Sequence, residues 1–247
     1  MNLLSRIILL MKRAKNAYQL GVRFSGTTSF QLPKTVSVNG REISISCPDD
    51  EPLKYDFINI WLDDEYSLST VSAPRTVVDI GANIGLFSLW ARMVFGDFSV
   101  HAYEPNAALH SHLSRNLAAF SDFDLYIEAV GSCEGFVKLA PGESSRLSRV
   151  VTESRDIEET IPMVSLSTVV ARAGGAVDLM KMDCEGGEWD ILTEKRALSC
   201  VKYIVMEYHL FDGRKFTDLE ALACKAGFKV NHHNEENCIV HLANTAK

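Results

Sequence analysis

The chain of 247 residues lacks any pair of cysteines at the spacing of a metal knuckle or a redox dithiol. Its six cysteines are scattered, and none stands in a C-x-x-C motif. Zinc knuckles and dithiol redox centres need cysteines at such short spacing, so both kinds of site are disfavoured. Several of the cysteines lie within apolar strand or helix patterns, where a free thiol behaves as a small hydrophobic residue. Reduced thiols of this kind predict a cytoplasmic protein.

The sequence also lacks an apolar run long enough to span a bilayer. The stretch from Leu3 to Met11 is apolar but is interrupted by Ser5 and Arg6, whereas a spanning helix needs about 20 apolar residues. No small-residue cleavage site follows it, as a secretory signal would require. Two interpretations stay open: a helix packed on the protein's own surface, or a basic amphipathic helix lying on the inner face of a membrane.

Acidic residues are absent from residues 1–41, although the formal net charge of the whole chain is -7. This segment holds seven cations, and the rest of the chain carries 18 cations and all 32 acids. Such asymmetry is typical of an arm that docks on a membrane or a partner. The acidic remainder is not steered toward a polyphosphate, so no nucleic-acid partner is expected.

What the chain does contain is a regular alternation of strand and helix patterns. Apolar strands are predicted at 76–80, 99–103, 125–130, 177–182 and 201–206, with helical patterns between them. This order predicts an α/β, Rossmann-like domain over residues 71–247, with a mainly parallel sheet covered on both faces. Two runs at 228–232 and 238–242 predict a terminal antiparallel hairpin.

Residues 1–70 are predicted to form an N-terminal extension to this domain. It would contain the basic amphipathic helix, a hairpin centred on Asn39-Gly40 and a second helix over 57–68. A polar stretch at 141–162 interrupts the alternation and predicts a loop or lid.

The most specific local pattern is D-I-G-A-N-I-G, which begins at Asp79, follows a strand and opens a helix. Gly81 permits a tight turn, and Ala82 and Gly85 would let a ligand approach backbone N–H groups closely. Asn83 stands where the G-x-G-x-x-G pattern of NAD sites has its second glycine. The carboxylate of Asp79 would repel a pyrophosphate but suits a cationic amino acid or a sulfonium.

A second pattern, Glu104-Pro105-Asn106, ends the next strand. A carboxylate at this point of an α/β sheet can accept hydrogen bonds from both ribose hydroxyls of a nucleoside. Glu104 alone would be read as a solvated carboxylate. Together with the glycine loop, it predicts a nucleoside site.

Three blocks together resemble the FkbM-type family of S-adenosylmethionine-dependent methyltransferases. They are V-V-D-I-G-A-N-I-G-L-F-S from Val77, Y-E-P-N from Tyr103 and K-M-D-C-E-G from Lys181, and they occur in the family's order between about Thr76 and His209. The resemblance implies a seven-stranded class I methyltransferase fold with a terminal hairpin. It also implies S-adenosylmethionine as the cofactor and a hydroxyl of a sugar, glycolipid or secondary metabolite as the acceptor.

The resemblance further implies which residues bind the cofactor. Asp79, Gly81, Asn83 and Gly85 would line the methionine part, Glu104 would hold the ribose, and Ala129 and Val130 would border the adenine. The chain departs from the family in having Leu166-Ser167 where a Leu-Asp pair is common. The family's N-terminal segment is variable, so the resemblance implies nothing about residues 1–60. Because of both departures, the resemblance does not determine the identity of the methyl acceptor.

Candidates for acid–base chemistry end two further strands: Asp183, Glu185, Glu207 and His209. Parallel strands end at one edge of a sheet, where ligands bind. A histidine of near-neutral pKa is a natural acceptor for a hydroxyl proton. We expect His209, or failing it Glu185, to be the general base, whereas Glu188 is expected only to favour the N-terminus of its helix.

Other functions stay open. The same four side chains could hold a divalent metal, which we rank lower because their spacing does not demand one. A non-catalytic subunit that retains a nucleoside pocket and an NAD-linked oxidoreductase are the two alternatives to a methyltransferase.

Overall fold

The computed structural model describes residues 3–38, 40–48, 52–140, 149–151 and 160–247. The N-terminal elements are α1 (Leu3–Gln19), β1 (Thr35–Val38), β2 (Arg41–Ser44) and α2 (Leu53–Phe57), followed by a π-helical turn at Ile58–Leu62 and a 3-10 turn at Leu68–Thr70. β1 and β2 pair antiparallel, which confirms the predicted hairpin. The helix predicted over 57–68 is wrong at both ends. The helical segment runs from 53 to 62, and the positive φ angles of Asp64 and Ser67 break it.

The remaining elements alternate as the apolar pattern predicts. They are β3 (Thr76–Ile80), α3 (Leu86–Phe95), β4 (Ser99–Tyr103), α4 (His110–Leu117), β5 (Phe123–Tyr126), β6 (Ala129–Gly131), β7 (Gly135–Ala140), β8 (Arg149–Val151), β9 (Thr160–Ser165), α5 (Leu166–Arg172), β10 (Val177–Met182), α6 (Glu188–Ile191), α7 (Lys195–Leu198), β11 (Val201–Glu207), α8 (Phe216–Lys225), β12 (Phe228–Asn234) and β13 (Ile239–Asn244).

Seven strands form one sheet in the order β12-β13-β11-β10-β3-β4-β5. All neighbouring pairs from β11 to β5 are parallel, whereas β13 is antiparallel to both β11 and β12. This confirms the predicted α/β class I methyltransferase architecture with its terminal hairpin. β3, β4, β10 and β11 end at the same edge, so the residues that follow them lie close together.

The third predicted strand, 125–130, is wrong because the chain leaves the main sheet within it. β5 pairs with β4, but β6 pairs with β9 in a separate four-stranded sheet of order β6-β9-β7-β8. β8 and β9 also occupy part of the stretch predicted as a loop at 141–162. The rest of that stretch, 141–148 and 152–159, lies outside the described residues.

Each face of the main sheet is covered by its own apolar cluster. One cluster joins α5, α6 and α8 to the sheet. The other joins α3 and α4 to side chains of the N-terminal 70 residues, including the stacked rings of Phe57 and Trp61. Trp61 also donates a hydrogen bond to the carbonyl of Leu86 at 3.1 Å. The extension therefore shares a core with the sheet, and a boundary near residue 70 stays a prediction.

Two further sequence features have a direct structural counterpart. All six cysteines are free thiols. Among the described residues, no helix has both the length and the apolar content needed to cross a membrane.

The loops after β3 and β10 touch at Gly81. Its φ is +70°, and a Cβ built there would lie 1.8 Å from the carbonyl oxygen of Asp183. The amide of Asp183 donates to the carbonyl of Ile80 at 3.1 Å, which holds the two strand ends together. Glycine is required here both by the backbone conformation and by the contact.

We expect Gly81→Ala to destabilise the protein more than Gly174→Ala, by about 2 kcal/mol or more, because overpacking adds to backbone strain. Gly174 is the matched control, since its φ is +80° but a Cβ there would meet nothing within 4 Å. Urea unfolding measures the two free energies. Equal losses would show that the contact with Asp183 contributes nothing.

Candidate functional site

A buried lysine lies at the centre of the strand ends. Lys181 is paired in register with Asp79 across β10 and β3 and is 3% exposed. Its ammonium lies 3.6 Å from Asp79 Oδ1 and 3.7 Å from Asp183 Oδ2. It also donates to the carbonyl of Gly81 at 2.7 Å and to that of Ile80 at 3.3 Å. One side chain thus ties the glycine loop to two carboxylates.

The carboxylates around Lys181 outnumber it. Burial lowers the pKa of Lys181, but the charges of Asp183, Asp79, Glu207 and Glu104 more than offset that effect, so its pKa is raised. The ammonium therefore stays protonated. One cation facing four acidic groups leaves this edge of the sheet with a surplus of negative charge whenever the acids are ionised.

Asp79 does not line the surface that a ligand would contact, contrary to the sequence expectation. Its side chain is fully buried, and Oδ2 accepts a hydrogen bond from the hydroxyl of Ser88 at 2.6 Å. Burial raises the pKa of Asp79, whereas Lys181 and Ser88 lower it. The register of β10 and β3 places it beside Lys181 on the same face of the sheet. Its charge acts on the site through the lysine.

Glu104 ties the end of β4 to the glycine loop. Its Oε2 accepts from the amide of Asn83 and its Oε1 from the amide of Asn106, both at 2.8 Å. Burial raises its pKa to about 7, against the lowering effect of these two amides and of Lys181. Glu104 lies on the same face of the sheet as Asp79 and Lys181, as the sequence analysis expects for a nucleoside site.

The glycine loop does not offer its backbone amides as the sequence analysis expects. The amides of Gly81 and Ala82 both donate to the carbonyl of Tyr103 at 3.0 Å. Gly85 (φ +84°) packs on α4 instead, because a Cβ there would lie 2.9 Å from Leu113 Cδ1. These three residues therefore hold the loop against its neighbours rather than presenting donors to a ligand.

One polar atom of the loop is left for a ligand. The backbone of Asn83 has φ +52°, and its Oδ1 is buried without a hydrogen-bond partner among the described residues. A buried acceptor without a partner is costly, and such an atom at a strand end points to a missing donor. A ligand that donates a hydrogen bond would satisfy this oxygen.

Ala129 and Val130 are buried in β6, at 3% and 7% exposure. They lie in the second sheet rather than at the end of a main-sheet strand. The side of this region next to the main sheet is aromatic: the rings of Tyr103 and Tyr126 stack with their centroids 4.6 Å apart, and the Arg172 guanidinium lies 4.5 Å from the Tyr126 centroid. This region is therefore apolar and aromatic.

His209 is held by three carboxylates. Glu188 Oε1 accepts from the His209 amide at 2.6 Å and lies 3.1 Å from its Nδ1. Nε2 faces Glu185 Oε2 at 3.4 Å and Glu207 Oε1 at 4.0 Å. Glu188 is fully buried and also accepts from the amide of Gly186 at 2.9 Å. From the sequence, Glu188 is expected only to favour the N-terminus of its helix, but in the structure it also orients the histidine ring.

The pKa of His209 differs from the near-neutral value that the sequence analysis assumes. Burial lowers it, but the hydrogen bond that His209 donates to Glu188 and the charges of Glu188, Glu185 and Asp183 together raise it to about 9. At neutral pH the ring is therefore mainly an imidazolium, and it becomes a base only as the pH approaches 9.

Asp183, Glu185 and His209 come close enough to share an ion. Each offers one ligand atom, and the three atoms lie within 4.8 Å of one another. Glu207 is not part of this group. A set with one imidazole is less typical of Mg²⁺, which prefers oxygen ligands, than of a transition metal.

A polar cleft of about 560 Å³ lies between the N-terminal segment and the terminal hairpin. Its walls are α1, the segment 63–67 and the turn of the terminal hairpin at 234–237. His233 of this cleft lies 2.8 Å from the hydroxyl of Tyr208, the residue before His209. Tyr66 follows the lining residue Glu65, and its pKa is raised by burial and then by the charge of Asp183. None of the residues that line this cleft belongs to the carboxylate cluster, and no sequence pattern marks the cleft.

Comparisons with known proteins identify a family and related chains. The family model described as "Methyltransferase FkbM domain" matches residues 79–230. "Methyltransferase sdnD" of Sordaria araneosa is 27% identical over 72% of this chain and 82% of its own length. "Methyltransferase 1" of Beauveria bassiana is 25% identical over 57% of this chain and 67% of its own length. Magnesium protoporphyrin IX methyltransferase from Synechocystis PCC 6803, solved with bound SAM, is 11% identical, covers 78% of both chains and has a TM-score of 0.43.

Proposed function

The chain belongs to the FkbM family of S-adenosylmethionine-dependent methyltransferases, and from this premise we propose that it O-methylates a hydroxyl of a sugar, glycolipid or secondary metabolite. The observation that carries the proposal is the surplus of carboxylates around Lys181 at the edge where β3, β4 and β10 end. A negative site in a partly desolvated cleft favours a ligand that carries a sulfonium and an ammonium.

The residues present suit such a cofactor. Glu104 would accept from the ribose hydroxyls, the unpartnered Oδ1 of Asn83 would accept from the methionine ammonium, and Ala129 and Val130 would border the adenine. S-adenosylmethionine supplies an electrophilic methyl group on a positively charged sulfur. Asp183 and Glu207, which are about one third exposed, would carry the negative charge that faces it.

The same geometry weighs against the two alternative functions. A dinucleotide would bring its pyrophosphate against several carboxylates and one buried lysine, which is electrostatically unfavourable. A non-catalytic subunit would have no need for a histidine oriented by a buried glutamate beside the cofactor site. The arrangement of His209 and Glu188 therefore supports turnover.

Proton removal from the acceptor hydroxyl falls to His209. Glu188 holds Nδ1, so Nε2 is the atom that would take the proton, and Glu185 beside it would stabilise the resulting imidazolium. If His209 is not the general base, Glu185 is the alternative. A general base commonly contributes about 10²–10⁴-fold to the rate, and the rest comes from positioning the two reactants.

The polar cleft between α1 and the terminal hairpin is the proposed acceptor site. Its lining of Asp, Glu, Asn, Lys, Arg and His side chains can form hydrogen bonds with a polyhydroxylated molecule such as a sugar. Cytoplasmic location belongs to the same proposal.

We expect S-adenosylhomocysteine, and not NAD, to raise the melting temperature of the protein. Glu104→Gln should weaken S-adenosylhomocysteine about tenfold, or about 1.4 kcal/mol, because the ribose loses an ionised acceptor. Since burial raises the pKa of Glu104 to about 7, wild-type affinity should also fall as the pH drops below 7. Calorimetric titration measures both effects.

Glu220→Gln on the exposed side of α8 is the matched control for that experiment and should bind like the wild type. A melting temperature that responds to NAD but not to S-adenosylhomocysteine would rule out the proposed function.

We expect His209→Ala to lower kcat about 10²–10⁴-fold without changing S-adenosylhomocysteine affinity. In the wild type, kcat/KM should rise with pH and level off above about pH 9, because His209 must lose its proton to act. Glu188→Gln should move this rise toward lower pH, since the side chain that raises the pKa of His209 loses its charge. Initial rates of transfer of a labelled methyl group measure these quantities.

Two outcomes would contradict this assignment. A His209→Ala enzyme with full kcat would assign the role of general base to Glu185, which Glu185→Gln then tests.

We also expect unchanged kcat after removal of divalent ions with a chelator, since the proposed proton transfer uses only side chains. Loss of activity that added metal restores would assign Asp183, Glu185 and His209 to an ion.

A further inference from the structure

The first helix is packed with its polar side inward. Arg13 forms an ion pair with Asp63 at 2.5 Å, and Asn16 donates to the carbonyl of Leu62 at 2.7 Å. Lys12 reaches the carbonyl of Asp63 at 2.8 Å. Of the residues of α1, only Ala17 is fully buried. The contact with the rest of the protein is thus made mainly by hydrogen bonds and an ion pair.

The outward side of α1 is apolar. Seven large apolar side chains of this helix are between 44% and 85% exposed: Leu3, Leu4, Ile7, Ile8, Leu10, Met11 and Tyr18. The spacing of positions 3, 4, 7, 8 and 11 places them along one side of the helix. This is the reverse of an ordinary surface helix, whose apolar side faces the core. A contiguous apolar surface of this kind marks a docking site.

Charge indicates what covers this surface. The first 41 residues carry seven cations and no acid, and Arg6, Lys12 and Lys15 lie on α1 itself. A second copy docked through the same helix would bring two such segments together and would be opposed by like charges. An anionic lipid surface complements the cations and accepts the apolar side chains. The acidic remainder of the chain would be repelled from that surface, which orients the protein with α1 toward it.

We propose that α1 docks on the surface of an anionic lipid bilayer. The apolar side of the helix enters the boundary between headgroups and acyl chains, and Arg6 and Lys15 lie at the level of the phosphates. The opposite side of the helix keeps its contacts with residues 59–63. That side also forms one wall of the polar cleft through Leu9, Lys12 and Arg13, so docking places the cleft within one helix diameter, about 10 Å, of the lipid.

The test is co-sedimentation of the full chain with vesicles of phosphatidylcholine alone, or with about one third phosphatidylglycerol. We expect binding to the anionic vesicles only, weakened by salt. The double variant Ile7→Glu/Met11→Glu should reduce the bound fraction at least about fivefold, because both side chains leave the apolar surface. Phe136→Glu is the matched control, because it removes a 74% exposed aromatic ring outside α1 and should bind like the wild type.

Three results would overturn the proposal: no binding to anionic vesicles, equal binding by wild type and double variant, or a dimer in solution that the double variant dissolves. Stabilisation by S-adenosylhomocysteine is measured on the same samples. It should persist in the double variant, because both substituted side chains are exposed on the outward side of α1. Failure of lipid binding is thereby distinguished from unfolding and from failure of the proposed function.

Discussion

The ion cluster of Lys181 is the interaction on which the rest of the site depends. A buried lysine is costly unless carboxylates compensate it, and here it is compensated in excess by Asp79, Asp183, Glu207 and Glu104. The same ammonium holds two carbonyls of the glycine loop, so charge balance and loop position are set by one side chain. The excess of negative charge is what makes the site suitable for a cationic cofactor.

The proposed base follows the same logic, because it too is a cation surrounded by carboxylates. His209 is a cation held by Glu188, Glu185 and, at longer range, Asp183, and these groups keep its pKa near 9. A base of this strength is available only in a small fraction of molecules at neutral pH. In return, the imidazolium formed after proton transfer is already stabilised by carboxylates that need not move.

The sequence predicts the sheet well because each strand of its centre is a short apolar run that ends at a glycine or an acid, as in 76–80 and 177–182. It does not predict where the chain leaves the sheet, because the residues of β5 and β6 have similar apolar content and differ only in their partners.

Prediction of the site from sequence shows the same limit. Local patterns single out Glu104 and His209, but the contacts of Lys181 with Asp79 and of Glu188 with His209 join residues on different strands and loops. The use of the amides of Gly81 and Ala82 by Tyr103 likewise follows from strand pairing and leaves no local signal.

The most direct test of the central claim compares the affinities of S-adenosylmethionine and S-adenosylhomocysteine, which differ by the methyl group and the positive charge on sulfur, in the wild type and in Asp183→Asn. If surplus carboxylate charge faces the sulfonium, the variant should lose affinity for S-adenosylmethionine about tenfold more than for S-adenosylhomocysteine, a difference of about 1.4 kcal/mol. Equal losses for the two ligands would show that the charge around Lys181 serves folding alone and would contradict the account.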